Sequence, residues 1–320
     1  MILLGAPSPG TWRVRGFFVS GPFMESGSLA LQYFLSGVTK GSIYAVVAIG
    51  FNLIYSATGV LNLAQGEFVM LGGMMAVTLA RFVPLPVAVM GAVVIVAVVG
   101  CLLEVLFFRR LRRHSVLHMI IITIGLAIVI QEMALHIWDE KVRSLPYFTG
   151  NEVSSLQFCG AAISPQVLWV LVTVAVTVIL LHGFLQYTLQ GRAMRACSSN
   201  PDAATLAGIN IPNMRTLSFG LSAALGALGG CVISPITMTH YEMGTPLAIK
   251  GFAAAILGGL GNPMGAVLGG LLVGVLEAFS VSRLPAAYND VTAFAVLLLV
   301  LFVRPHGLFG RPGGESVTEH

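Results

Sequence analysis

The chain has 320 residues, 56% hydrophobic and only 9% charged, with a mean hydropathy of +0.89. That leaves too few charges for an ordinary water-facing surface, excludes a soluble globular fold, and indicates an all-α, polytopic transmembrane helix bundle. The net charge of +4 does not point to nucleic acid, because the arginines sit in short stretches between apolar runs, as orientation in a bilayer requires.

Met1–Phe23 carries Gly-Pro-type breakers and no apolar core long enough for a signal sequence, and Met24 opens a segment that runs straight into the first strong helix. Residues 1–27 are therefore expected to be a disordered extension, or an artefact of the choice between Met1 and Met24 as the start. The first span, Leu29–Ser56, puts Gly37, Gly41, Tyr44, Ala48, Asn52, Tyr55 and, just beyond it, Gly59 on one face and Ile43, Val46, Val47 and Ile54 on the other. The branched face is expected to meet lipid. The small and polar face serves either tight helix packing or the lining of a water-filled path.

Gly59–Gly73 then brings Asn62, Gln65 and Glu67 to the start of an apolar stretch. A carboxylate in hydrocarbon costs about 3 kcal/mol on insertion scales, so Glu67 must be paired, protonated or at a wet boundary, an interfacial cap being the plain alternative to a transport role. Gly66 beside it permits close backbone approach or a helix break of the kind found where transporters bind or gate. Leu85–Phe108 ends in the densest positive cluster, Arg109–His114. His114 and His118 are four apart, but no HExxH or third ligand accompanies them, and no metal site is expected. Cys101, Cys159, Cys197 and Cys231 form no CxxC pair and read as small packing residues.

After Ser115–Trp138, the stretch Asp139–Pro165 mixes charges with turn residues and reads as the one sizeable extracytoplasmic loop, a landing place for a soluble partner. Leu217–Ile236 holds the pair Gly226 and Gly230 in GxxxG spacing. Thr245–Phe279, about 35 residues, is too long for one crossing of about 30 Å at 1.5 Å per residue. Two helices broken near Gly261–Pro263 are expected, with Gly261, Gly265 and Gly269 on one close-packing face. Asp290–Val303 is the last span, and the total comes to about eight or nine, with the N-terminus outside if the number is odd.

Between Val167–Leu181 and Leu217–Ile233 lies a polar interruption, Gly191–Pro212, GRAMRACSSNPDAATLAGINIP. Arg192, Arg195 and Arg215 mark its side as cytoplasmic by the positive-inside rule. The chain has no P-loop, since its lysines are Lys40, Lys141 and Lys250 and none follows a glycine, and it has no GxSxG elbow or zinc-protease motif. Without convergent acid, base or nucleophile groups a membrane enzyme is disfavoured. Transport is the class the residues support, whether as part of an assembly or as a stand-alone secondary transporter or channel.

Asp202-Ala203-Ala204, three further residues, Gly208, then Ile211-Pro212 resembles the EAA-x-x-x-G loop of ABC importer permeases, with aspartate replacing the usual glutamate. More widely, GSIYAVVAIGFNLIYSATGVLNLAQGEFVMLGG, GRAMRACSSNPDAATLAGIN and KGFAAAILGGLGNPMGAVLGGLLVGVLEAF, in that order, resemble the permease of the branched-chain amino acid (leucine/isoleucine/valine) ABC importer over about Ser28–Pro312. Gln65 stands where histidine is expected in many relatives.

The resemblance implies a permease body over 28–312 with a cytoplasmic coupling loop at about 191–212, a cytoplasmic tail over 313–320, and a multi-pass location in the bacterial inner membrane. It implies that Arg192, Arg195, Asp202, Ala203, Ala204 and Gly208 dock into a cleft of an ATPase subunit. The partners would be two such ATPases, a second homologous permease and an extracytoplasmic solute-binding protein. The chain itself would need no catalytic residue, cofactor or metal. Asn52, Asn62, Gln65 and Glu67 are the candidate polar way-stations of a translocation path. Urea and short-chain amide permeases resemble the same family, so the alternative solute is urea or a short-chain amide.

Overall fold

The computed structural model describes residues 22–59, 61–109, 116–150, 156–158, 161–281, 289–304 and 307–309. The helices in chain order are α1 (Pro22–Thr58), α2 (Gln65–Leu79), α3 (Leu85–Leu103, continued by a π-helical turn Glu104–Phe108), α4 (Val116–Trp138) and α5 (Pro165–Tyr187). There follow α6 (Leu189–Ser199), α7 (Pro201–Leu206), α8 (Ile211–Thr237), α9 (Gly244–Gly258), α10 (Pro263–Val281) and α11 (Asn289–Val303). One small antiparallel hairpin, β1 (Leu156–Phe158) with β2 (Ala161–Ile163), precedes α5. Because α1 begins at Pro22, residues 22–27 of the expected extension are helical; the rest of it, Cys159, the Arg110–His114 part of the basic cluster and the 313–320 tail lie outside the described residues.

Among the described residues six helices are long and apolar enough to cross a bilayer: α1 from Leu29, α3 with its π-helical turn, α4 from His118, α5, α8 and α10. The helices α2, α9 and α11 have 15 residues each. That is about 22 Å of helix against about 30 Å of hydrocarbon. Against the eight or nine spans expected, the described residues hold six full-length helices, and α2, α9 and α11 fall short of that length. Helix is absent at 59 and at 61–64, ahead of α2, and at the turn between α9 and α10.

Lipid does not lie against α1 where the branched residues suggested. Ile43, Val46, Val47 and Ile54 are all buried, together with Ala45, Ala48, Phe51 and Leu53 on the remaining sides. A helix that is apolar all round belongs in the middle of a bundle, and branched aliphatics fit a protein interior as well as they fit lipid. The close neighbour of α1 is antiparallel α10. A methyl group at Gly41 would stand 2.7 Å from Leu271 Cα, and one at Gly274 would stand 2.2 Å from the Gly41 nitrogen, so only glycine allows these backbones to touch. The GxxxG pair also marks a close approach: Gly226 and Gly230 of α8 lie against Phe68 and Val69 of α2. At the periphery α3, α4 and α5 turn Val94, Ile128 and Ile179 outward.

Packing fixes the direction of the helices. Ile49, Leu53 and Ala57, in the last turns of α1, cluster with Leu181 and Leu185 of α5 and Met194 of α6. Both α1 and α5 therefore end where α6 and α7 lie. At the opposite end Arg143 and Thr239 exchange backbone hydrogen bonds, Leu145 N donates to Ser234 Oγ, and Trp138 Nε1 donates to Thr78 Oγ1 at 2.7 Å.

The break in the glycine-rich run falls where expected. The turn between α9 and α10 uses Gly259 (φ 101°) and Gly261 (φ 83°), a left-handed backbone that side-chain-bearing residues avoid. Gly261 thus sits in the turn, not on the packing face; that face is made by Gly258, Gly265 and Gly269, with Gly269 against the Ala254 carbonyl. Asn52 of α1 accepts the Gly261 N–H at 2.7 Å. Leu308 and Phe309 donate their N–H groups to the carbonyls of Leu257 and Gly258, strapping residues 307–309 across the same turn.

Candidate functional site

The polar interruption folds into two short helices joined at Asn200, and three capping side chains define it. Thr188 Oγ1 accepts the Gly191 N–H at the start of α6, Asn200 Oδ1 accepts the Ala203 N–H at the start of α7, and Asn210 Oδ1 accepts the Asn213 N–H at the start of α8. Pro201 and Pro212 occupy first-turn positions, where no N–H is needed. Gly208 ends the element at φ 81°, with Ile209 N donating back to the Ala204 carbonyl.

This element has two unlike faces. Gly191, Met194 and Cys197 of α6 are buried, Gly191 against α5 and Met194 in a cluster with α5 and the end of α1, and Ala204 is the buried residue of α7. Arg192, Arg195, Asp202, Ala203 and Gly208 are exposed, and Leu206 beside them is 90% exposed. Among the described residues Arg195 reaches Gln186, at 3.2 Å. Of the six residues expected at a coupling surface, five are exposed and Ala204 is buried. The sequence reading passed over Leu206, although an apolar residue in the middle of a polar stretch was the signal for it.

The four interior candidates have different surroundings. Asn52 is consumed by the α9–α10 turn. Gln65 is stitched between three helices: its Oε1 accepts from Ser222 Oγ at 2.6 Å and its Nε2 donates to the Ser222 carbonyl, while the same hydroxyl lies 2.8 Å from the Gly50 carbonyl. Asn62 Oδ1 accepts the Ala64 N–H and shapes the non-helical stretch before α2. Glu67 is 1% exposed; its Oε1 accepts from Thr245 Oγ1 at 3.1 Å, and Gly244 lies against the carboxylate. It therefore sits at the N-terminus of α9, where a helix favours negative charge. Among the described residues Glu67 Oε2 and Asn62 Nδ2 have no hydrogen-bond partner.

Two ionic clusters were not anticipated. Glu104 is fully buried and accepts from Arg215 Nη2 at 3.2 Å and from the Thr216 hydroxyl. Glu277 of α10 accepts from Lys40 and Lys250 at 3.3 Å and from the Tyr44 hydroxyl at 2.8 Å, joining α1, α9 and α10. The available signal was the same one that singled out Glu67: a charge inside an apolar run needs a partner.

The sequence pattern of the family described as "Branched-chain amino acid transport system / permease component" matches residues 33–301. The chain belongs to this family. The permease is 33% identical over 302 residues to the high-affinity branched-chain amino acid transport system permease protein LivH of Salmonella typhimurium, covering 90% of this chain and 97% of LivH. BraD of Pseudomonas aeruginosa, described in the same terms, is 35% identical over 90% of this chain and 98% of its own. A probable LivH of Methanocaldococcus jannaschii is 26% identical over 85% and 90%. Members of the family are transport subunits, so the candidate residues of the permease are to be read for contact and passage.

Proposed function

We propose that the permease is the transmembrane subunit of an ATP-driven importer in the bacterial inner membrane. It passes branched-chain amino acids handed over by an extracytoplasmic binding protein, paired with a second homologous permease and powered by two separate ATPase subunits. The observation that supports this reading is the α6–α7 knuckle, which buries Met194 in the bundle and leaves Ala203, Leu206 and Gly208 exposed. Arg109, Arg192, Arg195 and Arg215 lie toward the knuckle end, which supports placing that end in the cytoplasm.

In this reading ATPase closure pushes the knuckle. Met194 is packed against Ile49 and Leu53, so the push reaches α1 directly, and a bundle with two packed arrangements opens to one side or the other. Asn52 and Gln65 hold helices together along the way; Asn62 and Glu67, each with a buried atom lacking a partner, are the stronger candidates for polar steps on the path.

The test is copurification of the tagged permease with its ATPase subunits. Asp202→Lys and Gly208→Trp are expected to abolish both the association and ATP-driven leucine uptake. Uptake that persists without any ATPase subunit would overturn the importer reading in favour of a stand-alone carrier or channel.

A further inference from the structure

We propose that Lys40, held beside Glu277 and Lys250, is a collecting point for the solute's carboxylate at the mouth of the permease opposite the knuckle. The proposal rests on the reading above that the cargo is an amino acid, and it says which charged group of that cargo the membrane subunit uses.

The geometry is that of one acid shared by two ammoniums. Lys40 Nζ and Lys250 Nζ both reach Glu277 Oε1 at 3.3 Å, Lys250 also reaches Oε2, and Tyr44 donates to Oε2 at 2.8 Å. Lys250 Nζ additionally stands 5.5 Å from the centre of the Tyr44 ring. These contacts bury Glu277 and hold Lys250, whose side chain is 17% exposed. Lys40 is different. Its side chain stays 38% exposed between buried Thr39 and Gly41, and an ammonium carries three donors, of which the shared Glu277 oxygen engages one.

An ammonium left open within an apolar helix faces an aqueous cavity or a polar partner, not lipid. Its position suits a point of entry. Lys40 precedes Thr58, the knuckle end of α1, by about 27 Å of helix, so it lies in the half of the bundle where a binding protein would release its cargo. A carboxylate arriving there would accept from Lys40 while Glu277 keeps Lys250 and Tyr44. Urea or a neutral amide could offer this cation only an uncharged carbonyl oxygen, a weaker acceptor than a carboxylate, so the cluster favours a zwitterionic cargo over the amide alternative.

The experiment uses the complete importer, reconstituted in liposomes with its binding protein. Lys40→Gln is expected to lower leucine uptake about tenfold, the scale of one charge-assisted hydrogen bond, while receptor-stimulated ATP hydrolysis continues; Lys40→Arg restores uptake. Unchanged uptake in Lys40→Gln, or uptake and ATP hydrolysis falling together without rescue by arginine, would overturn the proposal and leave the cluster as a tie between helices. If Lys40→Gln does not assemble, the wild-type complex decides. Acylation of Lys40 by a charged, amine-reactive ester is followed by mass spectrometry, with Lys141, 77% exposed, as the internal reference. Leucine is expected to slow the labelling of Lys40 relative to Lys141 and leucinamide is not; equal effects of the two would refute a carboxylate contact. Failure of the importer reading itself would show separately, as wild-type complex without ATP-dependent uptake.

Discussion

Glu67, Glu104 and Glu277 show three ways of keeping a carboxylate out of water: against a helix N-terminus, against an arginine, and between two lysines. The arrangement around Glu104 makes a sharp prediction, because a fully buried carboxylate that loses its cation is an uncompensated charge. Arg215→Met is expected to destabilise the detergent-solubilised permease by about 3–5 kcal/mol, and the double change Glu104→Met with Arg215→Met is expected to recover most of that, both read from thermal unfolding. Gln65→Leu should cost about 1–3 kcal/mol in the same assay by removing two hydrogen bonds to Ser222, whose hydroxyl keeps the Gly50 carbonyl as its acceptor. A double Glu104 and Arg215 variant no more stable than the single one would show that the pair is not what matters. Glu67 was legible in the sequence because Gly66 and Asn62 lie beside it; the partners of Glu277 were not, since Lys40 and Tyr44 are more than two hundred residues away and nothing local points to them.

At the scale of helices, the permease depends on where backbones touch. Gly274→Leu is expected to prevent α1 and α10 from closing, since even a methyl group would meet the Gly41 backbone. Gly125→Leu on α4 and Gly183→Leu on α5, where nothing stands within 4 Å, should be tolerated. The measurement is the yield of monodisperse protein, and equal losses for all three would contradict the packing. The break ahead of Pro263 was readable because glycine and proline punctuate chains directly. The assignment of Gly261 to a packing face failed because a four-residue spacing holds only while the helix continues, and here it begins two residues later. The branched face of α1 was misread for a related reason: the pattern says apolar, and only the count of surrounding helices says whether the neighbour is lipid or protein.

Seen whole, the permease has a buried centre in α1 and α8, an apolar rim in α3, α4 and α5, and a polar knuckle at one end. In the importer reading proposed above, the knuckle is the point of contact with the ATPase subunits. Leu206→Asp is therefore expected to abolish association with the ATPase subunits while leaving the melting temperature of the permease unchanged, since Leu206 is 90% exposed and supports nothing inside. Loss of thermal stability in that variant would mean the knuckle belongs to the core instead. Vesicles holding the permease alone should show no leucine flux.

The strap formed by Leu308 and Phe309 links the final helix to the mechanics of the others. Asn52 grips the α9–α10 turn from within, and the strap grips it from outside, at the knuckle end of α1. Clamped from both sides, the hinge between these helices is not free to swing, so whatever rearrangement accompanies transport is expected to carry α9, α10 and residues 307–309 as one block. A chain terminated ahead of Gly307 would still enter the membrane, but its gearing would slip.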